Sequence, residues 1–245
     1  MAHTANYQLL LASTSTMPGE RFLAYLSEEL NTLFGHTRTI TFIPYARPSG
    51  MSWDSYTRHA RQTLAALGYS VKGIHQWENP LDAIRESEAF FTGGGNTFAL
   101  VHSLHGFGLM EALARRLAEG VPYLGCSAGT NIAGLSMQTT NDMPVVYPAS
   151  FKTMGILPFN INAHYTEAII PNHQGETRMG RIQEFQSFNP IPVVGLPEGT
   201  WLRVKGHSIH LEGNGQAKMF TPDQPPQFID QIPFHAGQYH SNSAH

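Results

Sequence analysis

Gly125-Cys126-Ser127-Ala128-Gly129 follows the apolar run Val121-Pro122-Tyr123-Leu124 and precedes a helix-compatible stretch. A strand, a tight turn with a central serine and a helix together make a nucleophile elbow, which lifts one hydroxyl clear of the end of a sheet. The flanking glycines give room where backbones crowd. The helix that follows brings backbone N–H groups, beginning with Ala128, to the place where an oxyanion would form.

A serine hydroxyl needs a base to take its proton, usually a histidine oriented by a carboxylate. Among thirteen histidines, His164 follows directly on the extended segment Phe159-Asn160-Ile161-Asn162-Ala163, and α/β sheets present site residues at strand ends. Two carboxylates compete to orient it. Glu198, in Leu196-Pro197-Glu198-Gly199-Thr200, follows a buried strand, where an acid between proline and glycine has no packing purpose. Asp142, in Asn141-Asp142-Met143-Pro144, also suits an Asx-type turn. The order Ser127, Asp142, His164 is that of the α/β-hydrolases, although their histidine lies near the C-terminus, and spacing alone leaves the choice open. Cys126 is a second candidate nucleophile, but the elbow presents its central residue, Ser127.

Thr92-Gly93-Gly94-Gly95-Asn96-Thr97 marks another strand end. Three glycines leading into a helix expose N–H groups able to cradle an oxyanion or carboxylate, so Gly94 and Gly95 join Ala128 as oxyanion candidates. No Gly-Lys-Ser/Thr follows, which rules out a P-loop, and Phe98 holds the third glycine position of the dinucleotide fingerprint.

The elements that must position these groups are legible from periodicity. Residues 7–12, 38–44, 69–74, 89–92 and 121–125 are short apolar runs suited to strands buried on both faces. Helical stripes fill residues 20–34, stopping at Gly35, and 54–67, stopping at Gly68; a third is marked by Leu109, Leu113 and Leu117 and ends at Gly120. This alternation predicts a three-layer α/β sandwich, a mostly parallel sheet with helices on both faces. After Gly134 the pattern loosens and recovers at residues 159–163. A helix is expected over 175–188, with Met179, Ile182 and Phe185 inward, and a buried strand over 193–196. Residues 200–205, 208–211 and 217–220 read as antiparallel strands near the C-terminus.

The length of 245 residues and the absence of a linker-like stretch point to one domain over residues 1–237, with 238–245 as a disordered tail. Fifteen basic and 18 acidic residues without a Lys/Arg cluster leave no electrostatic footprint for nucleic acid or an anionic membrane, so a small-molecule partner is expected. No apolar run approaches the ~20 residues of a membrane span, and residues 1–6 lack a signal-peptide pattern, which gives a cytoplasmic expectation. The single cysteine, Cys126, rules out an internal disulfide and a cysteine-based metal cluster. The pairs His102/His105 and His207/His210 and the tail residues His235, His240 and His245 lack a matching carboxylate and zincin spacing, so neither metal nor cofactor is expected. Oligomeric state is not encoded in any of these signals.

Gly93-Gly94-Gly95-Asn96-Thr97-Phe98, the Gly-Cys-Ser-Ala-Gly elbow, Thr140-Asn141-Asp142-Met143-Pro144, Asn162-Ala163-His164-Tyr165, Gly175-Glu176-Thr177-Arg178 and Leu196-Pro197-Glu198-Gly199 occur in register over residues 9–220. In that order and spacing the chain resembles peptidase E, the aspartyl dipeptidase family of serine peptidases. The resemblance implies a flavodoxin-like or class I glutamine-amidotransferase-like sandwich and hydrolysis of dipeptides with an N-terminal aspartate. By motif position it implies Ser127 as nucleophile and His164 as general base, with Glu198 and Asp142 both claiming the third place and Glu198 favoured. Arg178 matches the arginine expected to bind the substrate β-carboxylate, a task suited to a planar bidentate donor, and Asn96 is a further substrate-binding candidate. Two positions depart from the pattern: Cys126 stands where related enzymes carry a bulky aromatic, and Thr130 replaces a small residue. The alternatives are a serine hydrolase for β-linked aspartyl peptides, related to cyanophycinase, and a non-catalytic peptide or amino-acid binder on the same fold.

Overall fold

The computed structural model describes residues 5–168 and 175–237. The chain runs through β1 (Gln8–Ala12), α1 (Ser27–Phe34), β2 (Thr39–Ile43), α2 (Trp53–Ala65), β3 (Ser70–Gly73), α3 (Pro80–Glu86), β4 (Phe90–Thr92), α4 (Thr97–Gly106), α5 (Met110–Ala118), β5 (Tyr123–Cys126) and α6 (Ala128–Asn131). It continues through β6 (Asn160–Ala163), α7 (Arg178–Phe188), β7 (Val193–Leu196), β8 (Thr200–Lys205), β9 (Ser208–Gly213), β10 (Ala217–Phe220) and β11 (Gln227–Ile229). The main sheet has seven strands in the order β3-β2-β4-β5-β1-β8-β9. The strands from β3 to β1 pair in parallel, and β8 and β9 add antiparallel at the edge.

Alternation along each strand divides the core between two faces. Leu9, Leu11, Phe90 and Tyr123 pack with Leu100 and Leu104 of α4 and Leu113 and Leu117 of α5. Leu10, Ala12, Phe91, Leu124 and Cys126 pack with Leu30 and Phe34 of α1 and Tyr56 and Leu64 of α2. This is the α/β three-layer arrangement expected from the sequence, with antiparallel strands closing the C-terminal part. Among the described residues, no helix is long and apolar enough to cross a membrane.

Several elements differ from expectation. A second sheet, ordered β11-β10-β7-β6, takes β6 and β7 as a parallel pair apart from the main sheet. The stripe over 20–34 becomes a 3-10 turn at Ala24–Leu26 followed by α1, because Leu23 adopts φ 59° and turns its N–H to the Ser15 carbonyl, 2.7 Å away. The unforeseen α3 begins with Asn79 as N-cap and Pro80 in the first turn, a readable start signal. In α7 Ile182 is buried but Met179 is exposed rather than inward. The tail expectation, with His240 and His245, falls on 238–245, outside the described residues.

Parallel pairing brings the carboxyl ends of β1, β4 and β5 to one edge, where Ala12 registers with Cys126 and Thr92 with Gly125. The turn after β5 packs so closely that a Cβ on Gly129 would overlap the Thr92 carbonyl oxygen, and one on Gly125 would lie 2.6 Å from the Gly129 oxygen. Gly129→Ala should therefore cost about 1–3 kcal/mol, roughly 2–12 °C in thermal midpoint for a chain of this size. Thermal unfolding followed by circular dichroism checks this, and an unshifted midpoint would contradict the close approach.

Candidate active site

Ser127 joins β5 to α6 at φ 53° and ψ −108°, a conformation that costs a non-glycine residue about 1–3 kcal/mol. Surrounding bonds hold it there. Its N–H donates to the Ala12 carbonyl at 3.0 Å, and its own carbonyl accepts from the N–H groups of Thr130 and Asn131, each at 2.9 Å. The Thr130 hydroxyl lies 2.6 Å from the Ala12 oxygen and 2.9 Å from the Gly125 oxygen, so the departure at this position fills a buried polar gap beneath the elbow.

His164 extends from the end of β6, also at positive φ, 56°. Its Nε2 lies 2.8 Å from Ser127 Oγ and its Nδ1 lies 2.6 Å from Glu198 Oε1. Since a carboxylate only accepts, Nδ1 carries the proton, and the Nε2 lone pair faces the serine hydroxyl. Glu198 is presented by the turn after β7, where the Thr200 hydroxyl donates to the Pro197 carbonyl at 2.6 Å and Gly199 takes φ 80°. Ser127, His164 and Glu198 thus form a continuous relay across the ends of two sheets.

The glycine loop lies against it. A Cβ on Gly94 would stand 3.1 Å from Ser127 Cβ, so glycine here keeps the hydroxyl open to a ligand. The buried Tyr56 hydroxyl donates to the Gly94 carbonyl at 3.2 Å, fixing the peptide plane that carries the Gly95 N–H. Among the described residues, the N–H groups of Gly94, Gly95 and Ala128 have no hydrogen-bond acceptor, as a pocket for a developing oxyanion requires.

The second carboxylate is elsewhere. Asp142 Oδ2 accepts from the Thr97 N–H at 2.7 Å and the Thr140 hydroxyl at 2.9 Å, so it caps α4 instead of touching His164. Asn96, read as a substrate contact, is committed at both ends of its amide. Its Oδ1 accepts from the Ala99 N–H at 3.1 Å and its Nδ2 donates to the Met143 carbonyl at 2.8 Å. Arg178 opens α7 just after the Thr177 cap. Burial and then Arg181 lower its pKa from the ordinary arginine value, and the negative charge of Asp142 partly opposes them. Among the described residues no carboxylate pairs with it at ion-pair distance, so the guanidinium is available to an anion.

Cys126 is fully buried, and desolvation pushes its thiol pKa well above the usual value, which removes the thiolate that a cysteine nucleophile needs. Among the described residues no group of three or more His, Cys, Asp or Glu side chains is placed to hold a metal ion. Two asparagines pin the residue before His164: Asn131, which lies in no quoted motif, and Asn141, which lies in the Thr140-Asn141-Asp142-Met143-Pro144 motif but was given no role of its own. Asn131 Oδ1 accepts from the Ala163 N–H at 3.3 Å, and Asn141 Nδ2 donates to the Ala163 carbonyl at 2.8 Å. Their bonds could not be read from the sequence, since the partner is the backbone of Ala163, 22 and 32 residues away.

The family model of peptidase family S51 matches residues 9–212. A peptidase E of Nostoc sp. is 42% identical over 215 residues, covering 87% of this chain and 88% of the relative. A Drosophila melanogaster protein named "probable alpha-aspartyl dipeptidase" is 42% identical over 219 residues, covering 88% and 90%. The structure of a peptidase from an acI-B1 Actinobacterium superposes with a TM-score of 0.68 at 17% identity, over 94% of this chain and 96% of that one, and shares the fold.

The capping geometry has a measurable consequence. Asp142→Ala leaves the Thr97 N–H without its acceptor and should lower stability by about 1–2 kcal/mol, roughly 2–8 °C in thermal midpoint. An unchanged midpoint would show that the cap contributes nothing.

Proposed function

We propose that this chain, which belongs to peptidase family S51, is a serine dipeptidase that hydrolyses dipeptides with an N-terminal aspartate through an acyl-enzyme on Ser127. The observation that carries the reading is the relay itself: Ser127 Oγ at 2.8 Å from His164 Nε2, and His164 Nδ1 at 2.6 Å from Glu198. The aspartyl substrate is supported by the name of the Drosophila relative and by Arg178, whose guanidinium has no carboxylate partner at ion-pair distance among the described residues.

In this mechanism Ser127 Oγ attacks the peptide carbonyl while His164 takes its proton, and Glu198 stabilises the imidazolium and holds its tautomer. The N–H groups of Gly94, Gly95 and Ala128 receive the oxyanion. His164 then returns the proton to the leaving amine, and a water activated by the same base hydrolyses the ester. Arg178 pairs with the substrate β-carboxylate. A buried neutral thiol at Cys126 takes no part, and Asp142 and Asn96 act by building the α4 terminus. One domain over residues 1–237 carries the activity in the cytoplasm, on small peptides rather than on nucleic acid or a membrane.

Release of aspartate from Asp-Leu, compared with Glu-Leu, Leu-Leu and β-Asp-Leu, tests the assignment. Asp-Leu should be cleaved selectively, and Ser127→Ala should lower kcat on the order of 10⁴-fold or more with the fold intact. Cleavage of β-Asp-Leu alone would move the substrate to β-linked peptides, and binding of Asp-Leu without cleavage would make the chain a binder. Glu198→Gln should lower kcat by roughly 10²–10⁴-fold. Arg178→Ala should abolish the preference for aspartate over neutral first residues; a retained preference would place carboxylate recognition elsewhere.

A further inference from the structure

The last residue of β1 and the one after it touch the segments of all three relay members. The Ala12 carbonyl accepts the Ser127 N–H at 3.0 Å. Ser13, fully buried, accepts the His164 N–H on its Oγ at 2.9 Å and donates the same hydroxyl to the Leu196 carbonyl at 2.7 Å. Its own N–H donates to the Thr200 carbonyl at 3.1 Å, so Ser13 grips the backbone two residues before and two residues after Glu198. The main sheet supplies Ser127, whereas β6 and β7 of the second sheet lead into His164 and Glu198. Ser13 follows directly on β1 of the first, and its hydroxyl bonds to the ends of the second.

Resting on the reading of Ser127, His164 and Glu198 as a catalytic relay, we propose that Ser13 is a positioning residue whose buried hydroxyl sets the spacing between the base and its carboxylate. A hydroxyl suits this place because it is donor and acceptor at once: it satisfies one amide and one carbonyl that no water reaches. The His164 amide needs such an acceptor, because its residue is held at φ 56° at the end of a strand, where the ladder no longer binds it. Ser13 touches no reacting atom and acts only through the backbone of the two residues it joins.

The test uses the full chain with Ser13→Ala, Glu198→Gln and their combination, and reads two rates per folded molecule: kcat for Asp-Leu, and the rate at which a fluorophosphonate labels Ser127 with loss of fluoride. Ser13→Ala should lower both by about tenfold to a hundredfold, in line with the cost of an ångström-scale misplacement, with KM within about twofold, since substrate recognition lies elsewhere. In the Glu198→Gln background the same change should cost less than about threefold, because the pair that Ser13 aligns is already broken. Ser13→Cys, of similar size but a weak donor and acceptor, carries the same expectation should the alanine variant not fold. Labelling of Ser13→Ala at the unaltered rate, or an equal loss in both backgrounds, would overturn the positioning role while leaving the relay intact. Absence of both labelling and cleavage in the unaltered protein would overturn the relay reading and this inference with it.

Discussion

A serine held at positive φ at the end of a central parallel strand is the constraint on which the rest of this structure depends. The conformation is costly, and it persists because both backbone groups of Ser127 are bonded, its N–H to Ala12 and its carbonyl to the first turn of α6, and because the Thr130 hydroxyl ties down the backbone beneath. Close packing of Gly125 and Gly129 against each other and against Thr92 brings β4 and α6 near enough for the glycine loop to reach the serine. The fold beneath follows from the same need, since only adjacent parallel strands bring several carboxyl ends to one edge.

Features that rest on local pattern were legible in the sequence. The elbow, the alternation of short buried strands with helical stripes, and the glycine stops at Gly35, Gly68 and Gly120 each depend on residues within one or two turns of one another. The choice between Glu198 and Asp142 was not legible, because both sit in polar turns and differ in which distant group they meet. Asp142 resolves into a cap because Thr97, 45 residues earlier, places an N–H against it; Glu198 resolves into the partner of His164 Nδ1 because β6 and β7 pair in parallel, Ala163 beside Leu196. Asn96 is ambiguous for a related reason: a polar residue at the start of a helix reads equally as cap or as ligand contact, and its bonds to Ala99 and Met143 make it a cap here. The helix over 20–34 failed at Leu23, where a long-range bond to Ser15 outcompeted an intact apolar stripe.

Cys126 and Ser127 illustrate how one residue step separates packing from chemistry. Successive residues of a strand face opposite sides, so Cys126 completes the core between the sheet and the helices α1 and α2, together with Leu124 and Phe91. The chain then turns, and Ser127 leaves the strand altogether. The more intrinsically nucleophilic atom is thus the buried one, and burial, by holding the thiol protonated, silences it.

The relay draws on both sheets, which makes its geometry a property of their relative placement. Side-chain packing alone tolerates shifts of several tenths of an ångström, because apolar contacts are non-directional. Hydrogen bonds to backbone are directional and short, and at this edge they tie the ends of β6 and β7 to the segments after β1 and β5: Ser13 to His164 and Leu196, and Asn131 and Asn141 to Ala163. Each anchors main chain near His164 or Glu198 instead of the side chain itself, so the two side chains stay partly open to solvent and, among the described residues, without competing partners while their backbone is held. The proposed proton transfer needs that combination: held spacing between donor and acceptor, with both imidazole nitrogens left to the serine and the carboxylate.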